Sequence, residues 1–210
     1  MYTNRWYKLL YDSFIAAISA ARPADILPAH LPPPPAGKII IVGAGKAAGG
    51  MALAAERHYS PQTRLCGAVV IPHGAPLPPL SRIRALSAAH PLPDADSVRA
   101  AKLLLGEVAK AGADDLVVGL FSGGGSSLLG APLAGFRLDA NRRMMQNLLH
   151  AGADVREINI VRRHLSPALG GRMAMVCHAP ALVLLMSDVV GDQPADIASG
   201  PFAADNSTCA

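Results

Sequence analysis

The stretch LVVGLFSGGGSSLLG, residues 116–130, restricts the fold of this chain more than any other. Leu116 to Phe121 is short, apolar and unbroken, the pattern of a strand covered on both faces in a parallel sheet. The run stops at Ser122-Gly123-Gly124-Gly125-Ser126-Ser127 and resumes at Leu128 as a helix would. Three consecutive glycines let the backbone turn tightly and approach a ligand without a Cβ in the way. Successive N–H groups in such a turn form a concavity suited to an anion, above all phosphate. Ser126 and Ser127 add hydroxyls for phosphate oxygens or a metal-bound water. No Lys-Ser/Thr pair closes the turn, so it is not a Walker A loop.

The same strand–turn–helix pattern occurs earlier. Lys38 to Val42 reads as a strand, and Gly43-Ala44-Gly45-Lys46-Ala47-Ala48 turns into an Ala-rich helix reaching about Tyr59. This GxGxxA spacing is half of a dinucleotide fingerprint. The other half is an acid about 20 residues further on, yet no Asp or Glu occurs between Glu56 and Asp94. Lys46, at the mouth of the turn, sets a point charge beside any phosphate held there.

Around these two turns the chain alternates strands and helices. Residues 2–21 carry Trp6, Leu9, Leu10, Phe14, Ala17 and Ile18 at helical spacing, which predicts an amphipathic first helix. A proline-rich link, Pro28 to Pro35, is expected to run extended as a spacer. Strands are expected over 65–71 and 83–87, and Asp94 caps a helix to about Ala111. His90 lies just past a strand end, a usual place for ligand contacts in open sheets. Helices follow over 138–151 and 154–165, with a short one after Gly171. The second of them ends in Arg162-Arg163-His164, which either complement the helix macrodipole or face an anion. Ala181 to Met186 is expected as a further buried strand, delivering Asp188 and Asp192 in a glycine-containing loop suited to Mg²⁺ or a general base.

Composition sets the outer limits. With 210 residues, 51% hydrophobic and 16% charged, the chain suits one α/β domain with a real core. The net charge of +4 comes without a Lys/Arg run, which argues against a dedicated nucleic-acid binder. Cys66, Cys177 and Cys209 form neither a disulfide framework nor a zinc pattern, consistent with a reducing cytoplasm. Arg5 and Lys8 are followed by no continuous apolar core, so no secretion signal is expected. No run reaches the roughly 18 apolar residues a spanning helix needs, so no membrane partner is expected either.

Taken together, GAGKAAGGMA (43–52), AAHPLPDADS (88–97), LFSGGGSSLL (120–129), NIVRRHLSPALGGRMA (159–174) and SDVVGDQPADIASGPFAAD (187–205) resemble the glycerate 2-kinase family with a MOFRL-type C-terminal domain. The resemblance implies a Rossmann-like three-layer α/β/α fold on a mostly parallel sheet. It implies that residues 1–210 are the N-terminal domain: a leading helix (1–21), a proline-rich link (22–37) and an α/β core (38–205). The C-terminal domain is then absent, and the fragment alone is expected to be inactive. The implied chemistry is ATP- and Mg²⁺-dependent phosphorylation of D-glycerate to 2-phosphoglycerate.

On that resemblance Lys46 meets the transferring phosphoryl group, and Gly43, Gly45 and Ser122-Gly123-Gly124-Gly125-Ser126-Ser127 hold phosphates or the substrate carboxylate. Asp188 is metal ligand or base, Asp192 supports it, and Arg163, His164 and His90 are further anion contacts. Two other classes stay open. GxGxxA suggests an NAD(P)-dependent hydroxypyruvate reductase, with Arg57 or Arg64 available to a 2′-phosphate. A non-catalytic sugar-phosphate-binding module would use the Gly/Ser loops without Lys46 and Asp188. Homo-oligomerisation is left open.

Overall fold

The computed structural model describes residues 3–208. Tyr2 of the expected first helix and Cys209 lie outside the described residues. The chain runs α1 (Thr3–Ala20), α2 (Pro23–Ile26), a 3₁₀ turn (Leu27–His30), β1 (Ile39–Ala44), α3 (Ala48–His58), β2 (Leu65–Pro72) and β3 (Arg84–Ala88). It continues through α4 (Ala95–Ala109), β4 (Leu116–Ser122), α5 (Gly125–Leu128), α6 (Leu138–His150), α7 (Val155–His164), α8 (Arg172–Met175) and β5 (Ala181–Met186), then a 3₁₀ turn at Ile197–Ser199.

The five strands form one sheet in the order β3-β2-β1-β4-β5, and every pairing is parallel. Parallel strands need crossovers; helices supply those after β1, β3 and β4 and cover the faces, whereas residues 73–83 carry the chain from β2 to β3 without a helix. Alternation along β1 shows why its residues are apolar throughout. Ile39 and Ile41 pack with Met51, Ala52 and Ala55 of α3, whereas Ile40, Val42 and Ala44 pack with Ala101, Leu104 and Val108 of α4. The α/β class and the parallel sheet are as the sequence implies.

Three expectations change. The link is not extended from its start: Pro23 opens α2, and Leu27 to His30 form the 3₁₀ turn, with Leu27 buried among α3 residues. Proline suits the first turn of a helix, where its missing N–H would have had no partner. The link also fastens to the core, where Tyr59 donates its hydroxyl to the Pro32 carbonyl at 2.9 Å. β5 is an edge strand with one neighbour, β4, and is half-buried rather than buried. Helix α1 forms, but Trp6, Leu9, Leu10, Phe14 and Ile18 remain exposed. No helix among the described residues is long and apolar enough to cross a membrane.

The order 3-2-1-4-5 puts a topological switch point between β1 and β4, where the chain leaves in opposite directions. Their register pairs Ala44 with Phe121, so the turns after both strands emerge side by side. The glycine-rich segments therefore meet at the carboxyl edge of the sheet.

Candidate functional site

The two turns are bonded to each other. The Lys46 N–H donates to the Gly123 carbonyl at 2.9 Å, and the Ala47 N–H donates to the Ser122 hydroxyl at 2.9 Å. The Ala48 N–H donates to the Gly45 carbonyl at 3.2 Å. The first turn thus has its leading N–H groups engaged within the protein. The second does not: among the described residues, the N–H groups of Gly123, Gly124, Gly125, Ser126 and Ser127 have no protein acceptor. These five consecutive donors are the anion-suited feature of the edge.

The glycines explain how closely other groups approach. A Cβ on Gly123 would collide with the Asp188 carboxylate. Gly124 has φ +88°, and a Cβ there would lie 3.1 Å from the His90 ring and 3.6 Å from Lys46 Cγ. Lys46, His90 and Asp188, distant in sequence, therefore surround one turn. His90 is carried by a loop with a cis His90–Pro91 bond. Asp94 closes that loop by capping α4: its carboxylate accepts from the Ser97 N–H at 2.9 Å, from the Ala89 N–H at 3.4 Å and from His73 at 3.0 Å.

A cavity of about 550 Å³ opens beside the turn. Gly123, Gly124, Ser126, Ser127, His90 and Asp188 line one side, and Arg156, Asn159, Arg162 and Asp196 line the other. Partial burial, then the charges of Lys46 and Arg162, push the His90 imidazole below its ordinary pKa, which favours the neutral ring. Burial raises Asp94, but the hydrogen bonds from His73, Ser97 and Ala89 outweigh it and hold the carboxyl well below its usual range. Asp188 is exposed, and its carboxylate has no hydrogen-bond or ion-pair partner among the described residues.

Several expected site residues serve other purposes. Gly43 is buried within β1, where a Cβ would strike the Leu120 carbonyl, so it permits strand packing rather than ligand contact. Gly45 packs on Ser122, whose buried hydroxyl accepts from Ala47 and ties the turns together. Gly125 faces Ala198 and the Ala44 carbonyl instead of the cavity. Ser126 accepts from Ser199 at 2.8 Å, and Ser127 donates to the Gly124 carbonyl at 3.0 Å, so both hydroxyls stiffen the turn.

Arg163 is not an anion contact. Its side chain is 7% exposed, 3.2 Å from Asp196 and 3.0 Å from Asp205, a buried ion-pair cluster that pins the last segment to α7. His164 points the same way, 3.2 Å from Ser207. Asp192 lies on the exposed loop and does not line the cavity; Asp196 does. Among the described residues, three metal-capable side chains gather only at His73, Asp94 and Asp96, within the helix-capping network.

The sequence reading offered Arg162 only as one member of a basic triplet and passed over Asn159 and Arg156. Helical periodicity holds the signal: Val155, Asn159 and Arg162 are spaced four and three apart and share one stripe of α7, and all three line the cavity. Arg163 is about 100° further round, which sends it into the packed side.

The chain matches the family model described as "Domain of unknown function (DUF4147)" over residues 9–210. A relative from Agrobacterium vitis, whose assigned name of hydroxypyruvate reductase is itself marked as provisional, is 44% identical over 204 residues, covering 97% of this chain and 46% of that protein. The D-glycerate 2-kinase of Thermotoga maritima is 38% identical over 202 residues, covering 96% of this chain and 48% of the kinase. The crystal structure of a glycerate kinase from the same organism superposes with a TM-score of 0.86 at 36% identity, covering 98% of this chain and 50% of that one. The chain thus spans about half the length of these relatives. With a fold and a sequence that both correspond, it belongs to the DUF4147 family, the MOFRL-associated N-terminal domain found in glycerate 2-kinases.

Proposed function

We propose that this domain forms half of an ATP-dependent glycerate 2-kinase, which transfers the γ-phosphoryl group of ATP to D-glycerate and yields 2-phosphoglycerate. One observation carries the reading: five acceptor-free N–H groups at Gly123–Ser127, ringed by Lys46, His90 and Asp188. Phosphoryl transfer needs reactants held in line and charge neutralised where it develops, with little covalent help. The Gly123–Ser127 backbone holds phosphate oxygens, and Lys46 places a positive charge at the mouth of the turn. Neutral His90 donates or accepts a hydrogen bond at the acceptor without adding charge. Asp188 fits Mg²⁺ chemically: a hard oxygen donor, free of protein partners, beside the phosphate-holding turn. When bound, Mg²⁺ neutralises phosphate charge; as a base instead, Asp188 would take the hydroxyl proton.

Two features argue against hydride transfer. The first turn, where a dinucleotide pyrophosphate would sit, has its N–H groups engaged by Ser122, Gly123 and Gly45. The ribose-binding acid has no counterpart in the sequence. A purely binding module would not require Lys46 or Asp188, so variants at these positions separate it from an enzyme.

The test is a coupled assay on the full-length protein, run with glycerate plus ATP and Mg²⁺ beside hydroxypyruvate plus NAD(P)H. ATP should be consumed only when glycerate is present, with no NAD(P)H oxidation. Lys46→Met, which keeps the aliphatic stem and removes the charge, should lower kcat by about 10²–10³. Hydride transfer at rates comparable to ATP use would overturn the assignment. Near-normal turnover of Lys46→Met would remove Lys46 from the site.

A further inference from the structure

Helix α7 carries three arginines; Arg156 and Arg162 line the cavity, Arg163 packs behind it, and all but one have a counter-charge. Arg156 lies 3.6 Å from Asp196, and Arg163 lies 3.2 Å from Asp196 and 3.0 Å from Asp205. Arg162 has none among the described residues. Its guanidinium is tethered by neutral oxygens alone, to Asn159 Oδ1 at 3.4 Å and to the Pro91 carbonyl at 3.5 Å. Those distances are at the long limit for a hydrogen bond, so the fork is steered rather than saturated. It is also half-buried, and burial depresses its pKa. A cation withdrawn from water without a counter-ion is costly, and the cost disappears if the counter-ion arrives as a ligand.

We propose that Arg162, oriented by Asn159, is the residue of this cavity that recognises the carboxylate of a small hydroxy acid. The planar guanidinium fork matches a carboxylate's two oxygens, which a lysine in the same place would not. Position separates this role from phosphate binding. The acceptor-free N–H groups and Lys46 lie at the Gly123–Ser127 side, whereas Arg162 approaches from α7, next to the His90–Pro91 loop. An acid bridging the cavity would present its carboxylate to Arg162 and its hydroxyl toward Lys46, His90 and Asp188. The naming of glycerate rests on the kinase reading; the need of Arg162 for a carboxylate does not.

The test is an NMR binding titration of the 210-residue chain with D-glycerate, with glycerol as the uncharged analogue, and with ATP. Glycerate should bind and glycerol should not. Arg162→Met should weaken glycerate at least about 30-fold and leave ATP affinity within about twofold. Asn159→Asp is the second variant: nearly isosteric, it supplies an internal carboxylate to Arg162 and should also weaken glycerate binding while leaving ATP unchanged. Wild-type affinity for glycerol equal to that for glycerate, or glycerate binding indifferent to both variants, overturns the inference. So does an Arg162→Met variant that loses ATP but keeps glycerate, which would make Arg162 a phosphate contact. Arg162-dependent glycerate binding in a full-length protein that lacks ATP-dependent turnover would support the carboxylate site and refute the kinase reading alone.

Discussion

Replacing Asp94 with Ala should destabilise the domain by about 1–3 kcal/mol and loosen the loop that carries His90. Asp94 is the N-cap of α4 and accepts from the Ser97 N–H at 2.9 Å, while the Asp94 N–H donates to the Ser97 hydroxyl oxygen at 3.1 Å. Loss of such a cap typically costs about 1 kcal/mol. The His73 contact at 3.0 Å is a hydrogen bond to a charged group, a class worth about 1.5–3 kcal/mol when well formed. It is partly solvated, so its contribution falls at or below the lower limit. The Ala89 N–H, at 3.4 Å, adds little to stability but directs the loop. Because the folded-state pKa of Asp94 is depressed, its contribution is complete at neutral pH and is lost as pH falls below the unfolded value, about 4. Denaturant melts of wild type, Asp94→Ala and Asp94→Asn should show the Ala variant lower by about 1–3 kcal/mol at pH 7. Asn, a good cap without the charge, should recover much of that. The difference between wild type and the Ala variant should shrink toward pH 3. A difference under about 0.5 kcal/mol at pH 7, or one that persists undiminished at pH 3, would refute this account of the cap.

Two further outcomes concern the turn itself. Gly123→Ala should melt close to wild type, because φ there is not positive and the Asp188 side chain can swing aside, yet displacing Asp188 should cost the full-length enzyme up to about 10²-fold in kcat; full activity would remove Asp188 from the site. The His90 imidazole should titrate below the ordinary value of 6.5 in the free domain and move up when phosphate or ATP binds, since an anion offsets Lys46 and Arg162; an NMR titration with no upward movement would show that the anion sits elsewhere.

Much of this architecture is written locally. Ile39 to Ala44 and Leu116 to Phe121 are apolar on both faces, the pattern of strands covered on both sides. Gly123-Gly124-Gly125 after one strand and Gly45-Lys46 after another announce turns at one edge of a parallel sheet, and Asp94 and Asp154 mark where α4 and α7 begin. These features depend on a few neighbouring residues, so the chain carries them wherever it is read. Which way a side chain faces depends on packing across many residues. Arg162, Arg163 and His164 are indistinguishable as a basic triplet, but the azimuth of α7 sends Arg162 to the cavity and Arg163 between Asp196 and Asp205. Gly43 and Ser122 look like ligand groups in sequence; strand register makes one a packing contact and the other a tie between turns. The apolar stripe of α1 predicts a helix correctly, but a helix does not specify its own neighbour, and Trp6, Leu10 and Phe14 remain outside the core. Element type is a local free-energy minimum, whereas orientation is decided by contacts between residues far apart in the chain.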